Sequence, residues 1–149
     1  MTSEMSKSIE TLRSSSSRLN QLTDEAAAIV RAVEDFLNTE CSSGVRAFVQ
    51  VSSTTEGYPD YERTVVQTLA YTRIGARFRI ANIWSSDDEP DGQVKPWSDS
   101  TRDDKLATLE KLPELIAEIS KALVHKIDTA EKSLAAASDL AKALVGKAG

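Results

Sequence analysis

The chain has 149 residues, room for one domain, and 23 Asp plus Glu against 18 Lys plus Arg leave it at −5. Hydrophobic residues make up 40% and aromatics only 5%, so a core is affordable and is built mainly from aliphatic side chains and alanine, and wholesale disorder is excluded. The single cysteine excludes an internal disulfide and a Cys-rich zinc site, and no apolar run approaches the ~18 residues of a membrane span.

Up to about Glu40 there is no Gly and no Pro, and Met5, Ile9, Leu12, Leu19, Leu22, Ile29, Val30, Val33, Phe36 and Leu37 recur mostly at steps of three, four or seven. That is the period of an α-helix with one apolar stripe, suited to coiled-coil pairing. The run Ser14 to Ser17 puts Ser16 where the stripe needs an apolar side chain, which predicts a weak first half and a secure start only near Arg18. Gly44 is the expected stop.

From Val45 to Trp84 the period changes to two. Strands are expected over Val45 to Val51, Arg63 to Arg73 and Arg77 to Trp84, joined by Glu56-Gly57-Tyr58-Pro59-Asp60 and by a turn at Gly75. Connections this short give an antiparallel meander. A four-residue loop over Arg73 to Ala76, chosen because Ile74 resists positive φ, pairs Tyr71 with Phe78, Leu69 with Ile80, Gln67 with Asn82 and Val65 with Trp84. The first strand then sets Val49 beside Leu69 and Val51 beside Gln67, with Gln67 and Asn82 satisfying each other on the apolar face.

Residues 85 to 104 hold seven acids and two bases, so they carry the net charge of the whole chain, within an acidic loop expected over 85–100. Pro96-Trp97 is expected to fold back and anchor that loop. Thr101 with Asp104 resembles a capping box, and a final helix follows with Leu106, Leu109, Leu112, Ile116, Ile119, Leu123, Ile127, Ala130, Leu134, Ala137, Ala141 and Leu144 on its stripe. Pro113 predicts a kink, or a short helix ending near Leu112 and a new one with Pro113 in its first position. The expected fold is therefore α+β: a single α-β-β-β-α domain over 1–149, with both helices on one face of a three-stranded sheet.

Catalytic residues are not expected. His125 is the only histidine and lacks a metal-binding partner, Cys41 sits at the wrong end of a helix to be a thiolate, and no nucleophile elbow or phosphate loop is present. No metal site and no cofactor is expected, although Asp87, Asp88, Glu89 and Asp91 are the one group of hard oxygen ligands within a few residues. The candidate binding face is the side of the sheet turned from the helices: Arg46, Phe48, Gln50, Thr68, Thr72, Arg77 and Arg79. Arg beside an aromatic suits an anionic partner, while the acidic balance disfavours nucleic acid.

Length decides the functional expectation. Helices of these spans reach ~50 Å and ~65 Å, against ~33 Å for a ten-residue strand, so the stripes overrun the sheet. The overhang needs cover, in a helical hairpin or from a second copy, and the open third strand offers a sheet-edge route. The chain is therefore expected to be a non-enzymatic interaction or adaptor protein, a homodimer with a protein partner and no membrane association. The alternative is a small-ligand or divalent-cation binder using the acidic loop or the sheet–helix interface. The start of the sequence lacks the apolar stretch of a signal peptide, which makes the cytoplasm the expected location.

Overall fold

A computed structural model describes residues 2–57 and 59–148; Tyr58, in the first predicted turn, lies outside the described residues. The fold is α+β, with a long helix at either end of an antiparallel sheet. Helix α1 runs unbroken over Ser3–Phe36, capped by Thr2, whose hydroxyl accepts from the Met5 amide at 3.2 Å. The serine run does not delay it. Each serine costs only a few tenths of a kcal/mol relative to alanine, less than a break in the backbone ladder.

The last turn of this helix widens into a π-turn over Leu37–Cys41, closed by the Ser42 amide on the Leu37 carbonyl at 2.9 Å. Ser42 is left-handed (φ 39°) and Gly44 follows at φ 67°, so the helix stops just before the predicted glycine. The wider turn carries Asn38 onto the end of the sheet, where its amide donates to the Phe78 carbonyl at 2.9 Å and its oxygen accepts from the Tyr71 hydroxyl.

The sheet has four strands, not three: β1 Ala47–Gly57, β2 Glu62–Ile74, β3 Arg77–Ser86 and β4 Gln93–Pro96, in that spatial order. Strand β4 lies inside the predicted acidic loop and pairs with Ala81–Trp84. It holds one apolar residue and a proline, so it has no period to read, and it exists because β3 had an open edge to offer. Gly92 starts it at φ 70°, and a β-carbon there would stand 2.4 Å from the Trp84 carbonyl oxygen.

The β2–β3 hairpin keeps the predicted faces but not the predicted pairs. The loop has two residues, Gly75 and Ala76, so Ile74 pairs with Arg77, Tyr71 with Ile80, Leu69 with Asn82, Gln67 with Trp84 and Val65 with Ser86. Gly75 takes the positive φ (64°), so a two-residue loop asks none of Ile74, and a glycine-first loop suits the strand twist. An offset of two residues preserves the side-chain alternation, which is why the faces survive. Tyr71 and Phe78 still meet, diagonally, with ring centroids 5.3 Å apart. Val49 pairs with Leu69 as expected, but a bulge at Val51 sets Ser52 against Gln67. Gln67 and Asn82 are therefore diagonal and do not satisfy each other. Asn82 donates instead to the Ser100 hydroxyl at 2.9 Å, while its oxygen and the Gln67 amide nitrogen have no partner among the described residues.

Trp97, in a single 3-10 turn over Trp97–Asp99, turns inward and is 2% exposed, with its indole N–H donating to Thr108 at 3.0 Å. Helix α2 (Arg102–Leu109) starts on the Thr101 cap, whose hydroxyl accepts from the Asp104 amide at 3.2 Å. It ends before Pro113, and helix α3 (Leu112–Ala148) begins anew with Pro113 in its first turn, where a missing N–H costs nothing. Val49, Leu69, Tyr71 and Ile80 from one sheet face meet Ala26, Val30 and Leu37 of α1 and Leu112, Leu115 and Ile119 of α3 in one cluster. Leu69, Ile80 and Leu115 are at most 1% exposed. Burial of each such side chain is worth about 1.5–3 kcal/mol.

The core takes only part of each helix. Ala26, Val30, Val33 and Leu37 continue the stripe of Met5, Ile9, Leu12 and Leu19, yet residues 3–22 of α1 are all exposed. On α3, residues 124–146 are exposed beyond Leu123.

Candidate functional site

The register places Phe48, Gln50, Thr68, Thr72, Arg77 and Arg79 on the outer face of the sheet, away from the core, and Arg46 just before β1. The face is less polar than its predicted members. A row Phe48–Ala70–Ala81–Pro96 crosses all four strands, and Thr68 in the next row is flanked by Ile83, itself paired with Val94. Phe48 and Val94 are 53% and 45% exposed. Ala70 and Ala81 fall on this face by the same alternation, although they are not among its predicted members.

Arg77 and Arg79 reach around the β3 edge beyond the end of β4, where Glu34 of α1 waits. One Glu34 oxygen accepts from Arg79 Nε at 3.2 Å and stands 3.9 Å from Arg77; the other accepts from the buried Ile80 amide at 3.0 Å. Arg79 also donates to the Ser98 hydroxyl at 3.2 Å. The third strand is thus no open edge: β4 covers one half, and a carboxylate satisfies a backbone donor in the other. Nothing local in the sequence marks Glu34. The signal available was the arginine pair itself, which has no acid in its own strand.

Between α1, the start of β3 and the Trp97–Asp99 turn lies a cleft of about 450 Å³, into which Arg31, Arg77, Arg79 and Lys105 converge with Glu34 and Asp35. Val30 and Trp97 form its apolar wall, and Lys105 sits 5.4 Å from the Trp97 ring centre.

Next to this cleft, burial pushes the Tyr71 phenol above the ordinary tyrosine value, and the electrostatic influence of Glu34, with a smaller one from Cys41, adds to the effect. Tyr71 is therefore held neutral as a donor to Asn38. Its stabilising contribution is complete below about pH 10 and is lost as pH rises through the raised folded value. Tyr71→Phe should flatten the alkaline limb of a urea-unfolding series, while lowering neutral-pH stability by about 1 kcal/mol as Asn38 loses its donor. An unchanged alkaline limb in the variant would assign that loss to another group.

The acidic segment faces the protein in part. Asp87 accepts from the Thr64 amide at 3.0 Å, and Asp88 lies 3.9 Å from Arg63, which also bonds Glu56 at 2.8 Å. Among the described residues no three His, Cys, Asp or Glu side chains converge as metal ligands. His125 is exposed on α3, and Cys41 is exposed and unbridged. No helix among the described residues is long and apolar enough to cross a membrane.

Comparison with protein-family models, with curated proteins and with solved structures returned no match. The fold defines an α+β protein with two projecting helical arms, and the functional reading rests on its own geometry.

Proposed function

We propose that the chain is a non-enzymatic interaction protein of the cytoplasm that acts as a homodimer, its helical arms closing on those of a second copy and leaving the outer sheet face for a protein partner. The observation that carries this is the in-phase continuation of both stripes into solvent. Met5, Leu12, Leu134 and Leu144 are 54%, 67%, 70% and 61% exposed on helices whose other halves bury the same stripes.

The arms do not cover each other within the chain. Lys126 of α3 donates to the Ser43 carbonyl at 2.9 Å, so α3 leaves the body near the C-terminal end of α1. The free arm of α1 departs near Asn20, which is bonded to Arg102 at the start of α2. Asn20 and Asn38 are separated by about 27 Å along α1. The two helices do not pack along one another. A helical hairpin within one chain is therefore disfavoured, and a second copy supplies complementary surface without any new partner.

Sedimentation equilibrium across a dilution series, with helicity followed by circular dichroism, tests the reading. A dimer that dissociates with a loss of helical signal is expected. A monomer at micromolar concentration with full helicity would overturn it. Crosslinking in cell extract followed by mass spectrometry tests the partner, and recovery of self-crosslinks alone counts against one.

A further inference from the structure

We propose that the cleft between α1, β3 and the Trp97–Asp99 turn is a binding site for a small phosphate monoester, held through its dianionic phosphoryl group. Four cations and two carboxylates line it, a local surplus of two positive charges in a chain whose net charge is −5. Glu34 hydrogen-bonds only one of the two guanidinium groups it faces and makes a longer ion pair with the other. Arg79 takes its oxygen at 3.2 Å, and Arg77, at 3.9 Å from the same oxygen, is beyond hydrogen-bonding distance. Neither Arg31 nor Lys105 makes an ion pair among the described residues, and the Lys105 ammonium stands over the Trp97 ring. Three cationic groups thus stand around one cavity with donors to spare.

Their chemistry selects the ligand. Planar guanidinium forks match phosphoryl oxygens two at a time, and a dianion balances the surplus charge. Arg79 is already held against Glu34 and Ser98, so part of the site is ordered before anything binds. The volume of about 450 Å³ is that of a small-molecule site, and the Val30 and Trp97 wall gives room for a short organic portion. A polymer backbone is disfavoured, because the cleft is one pocket in a chain of net charge −5 rather than a basic track.

The test is an amide-shift titration of the full chain with inorganic phosphate and with glycerol phosphate, at ionic strength held constant with sodium chloride. Saturable shifts confined to residues 31–35, 77–80 and 97–98 and to Lys105 are expected. The double variant Arg31→Gln with Arg77→Gln should weaken binding at least tenfold while leaving the melting temperature in place, since Arg77 is 63% exposed. Shifts that fail to saturate, or equal binding by the double variant, would overturn the site. Binding of succinate as tight as that of glycerol phosphate would overturn the phosphoryl assignment, and so would capture of a synthetic peptide of residues 85–104 in place of phosphate.

Discussion

Glu34→Ala should lower the folding stability by about 3 kcal/mol, and Glu34→Gln by roughly half as much. The glutamate side chain is 11% exposed and does two jobs at the edge that β4 leaves uncovered. It accepts from the amide of Ile80, a residue with no exposure, and it balances Arg79, whose side chain is 25% exposed. Alanine strands both groups. An orphaned buried N–H costs about 1–3 kcal/mol, and a guanidinium that has lost its carboxylate adds to that, less than in a dry interior because water reaches Arg79 from one side. Glutamine keeps an oxygen for the buried Ile80 amide but sets an NH2 group against Arg79, so it loses that bond and the charge at the partly solvated group alone, which explains the smaller expected effect. Domains of this size have about 5–15 kcal/mol in total, so the alanine variant should unfold well before the parent in urea. The comparison belongs at one fixed protein concentration, because self-association would add to the apparent stability of both. A loss below about 1 kcal/mol for alanine would show that Glu34 is satisfied by solvent and that the β3 edge stands without it.

The parts of this fold that were legible are those governed by a period. The stripes on α1 and α3 and the alternation through β2 and β3 are averages over many side chains, and each survives local error. The hairpin shows this directly: Tyr71 opposite Ile80 instead of Phe78 is a two-residue offset, and it leaves every side chain on its expected face. Local chemistry was equally readable at Thr101, where a hydroxyl immediately ahead of a helical run has one obvious donor to serve, and at Pro113, where the second of the two expected outcomes, a new helix with the proline in its first turn, is the one found. What stayed hidden depends on partners far away in the chain. Strand β4 has no pattern of its own and forms on the edge of β3. The Glu34–Arg79 pair joins residues 45 apart, and the π-turn carries an Asn38 whose partners, Tyr71 and Phe78, are more than thirty residues away. The candidate site falls in the second group. Arg77 and Arg79 were visible as a pair, but the cleft they line needs α1 laid across the end of the sheet, and no spacing in the sequence encodes that.

Leu134→Lys should abolish self-association at concentrations where the parent is a dimer, without changing the stability of the body. Leu134 is 70% exposed and lies well past Leu123, the last stripe residue in contact with the core, so its loss removes nothing from the monomer. In a two-fold dimer the substitution is made twice. Each buried leucine is worth about 1.5–3 kcal/mol, so the pair removes about 3 kcal/mol or more and weakens the dimer at least ~100-fold, before the cost of setting two ammonium groups in the seam. Leu12→Lys on α1 is expected to act in the same sense if the seam joins α1 of one copy to α3 of the other. Phe48→Lys is the control that separates the routes. Phe48 lies on the outer sheet face and is also 53% exposed, so a dimer built face to face, or along the β1 edge, would break with this change and ignore Leu134. The β1 edge is the weaker competitor, because the bulge at Val51 interrupts it after four residues of regular pairing and twists the strand away from a flat neighbour. If Leu134→Lys leaves sedimentation unchanged while Phe48→Lys yields monomers, the arms are not the seam, and their apolar stripes must then serve a partner other than a second copy.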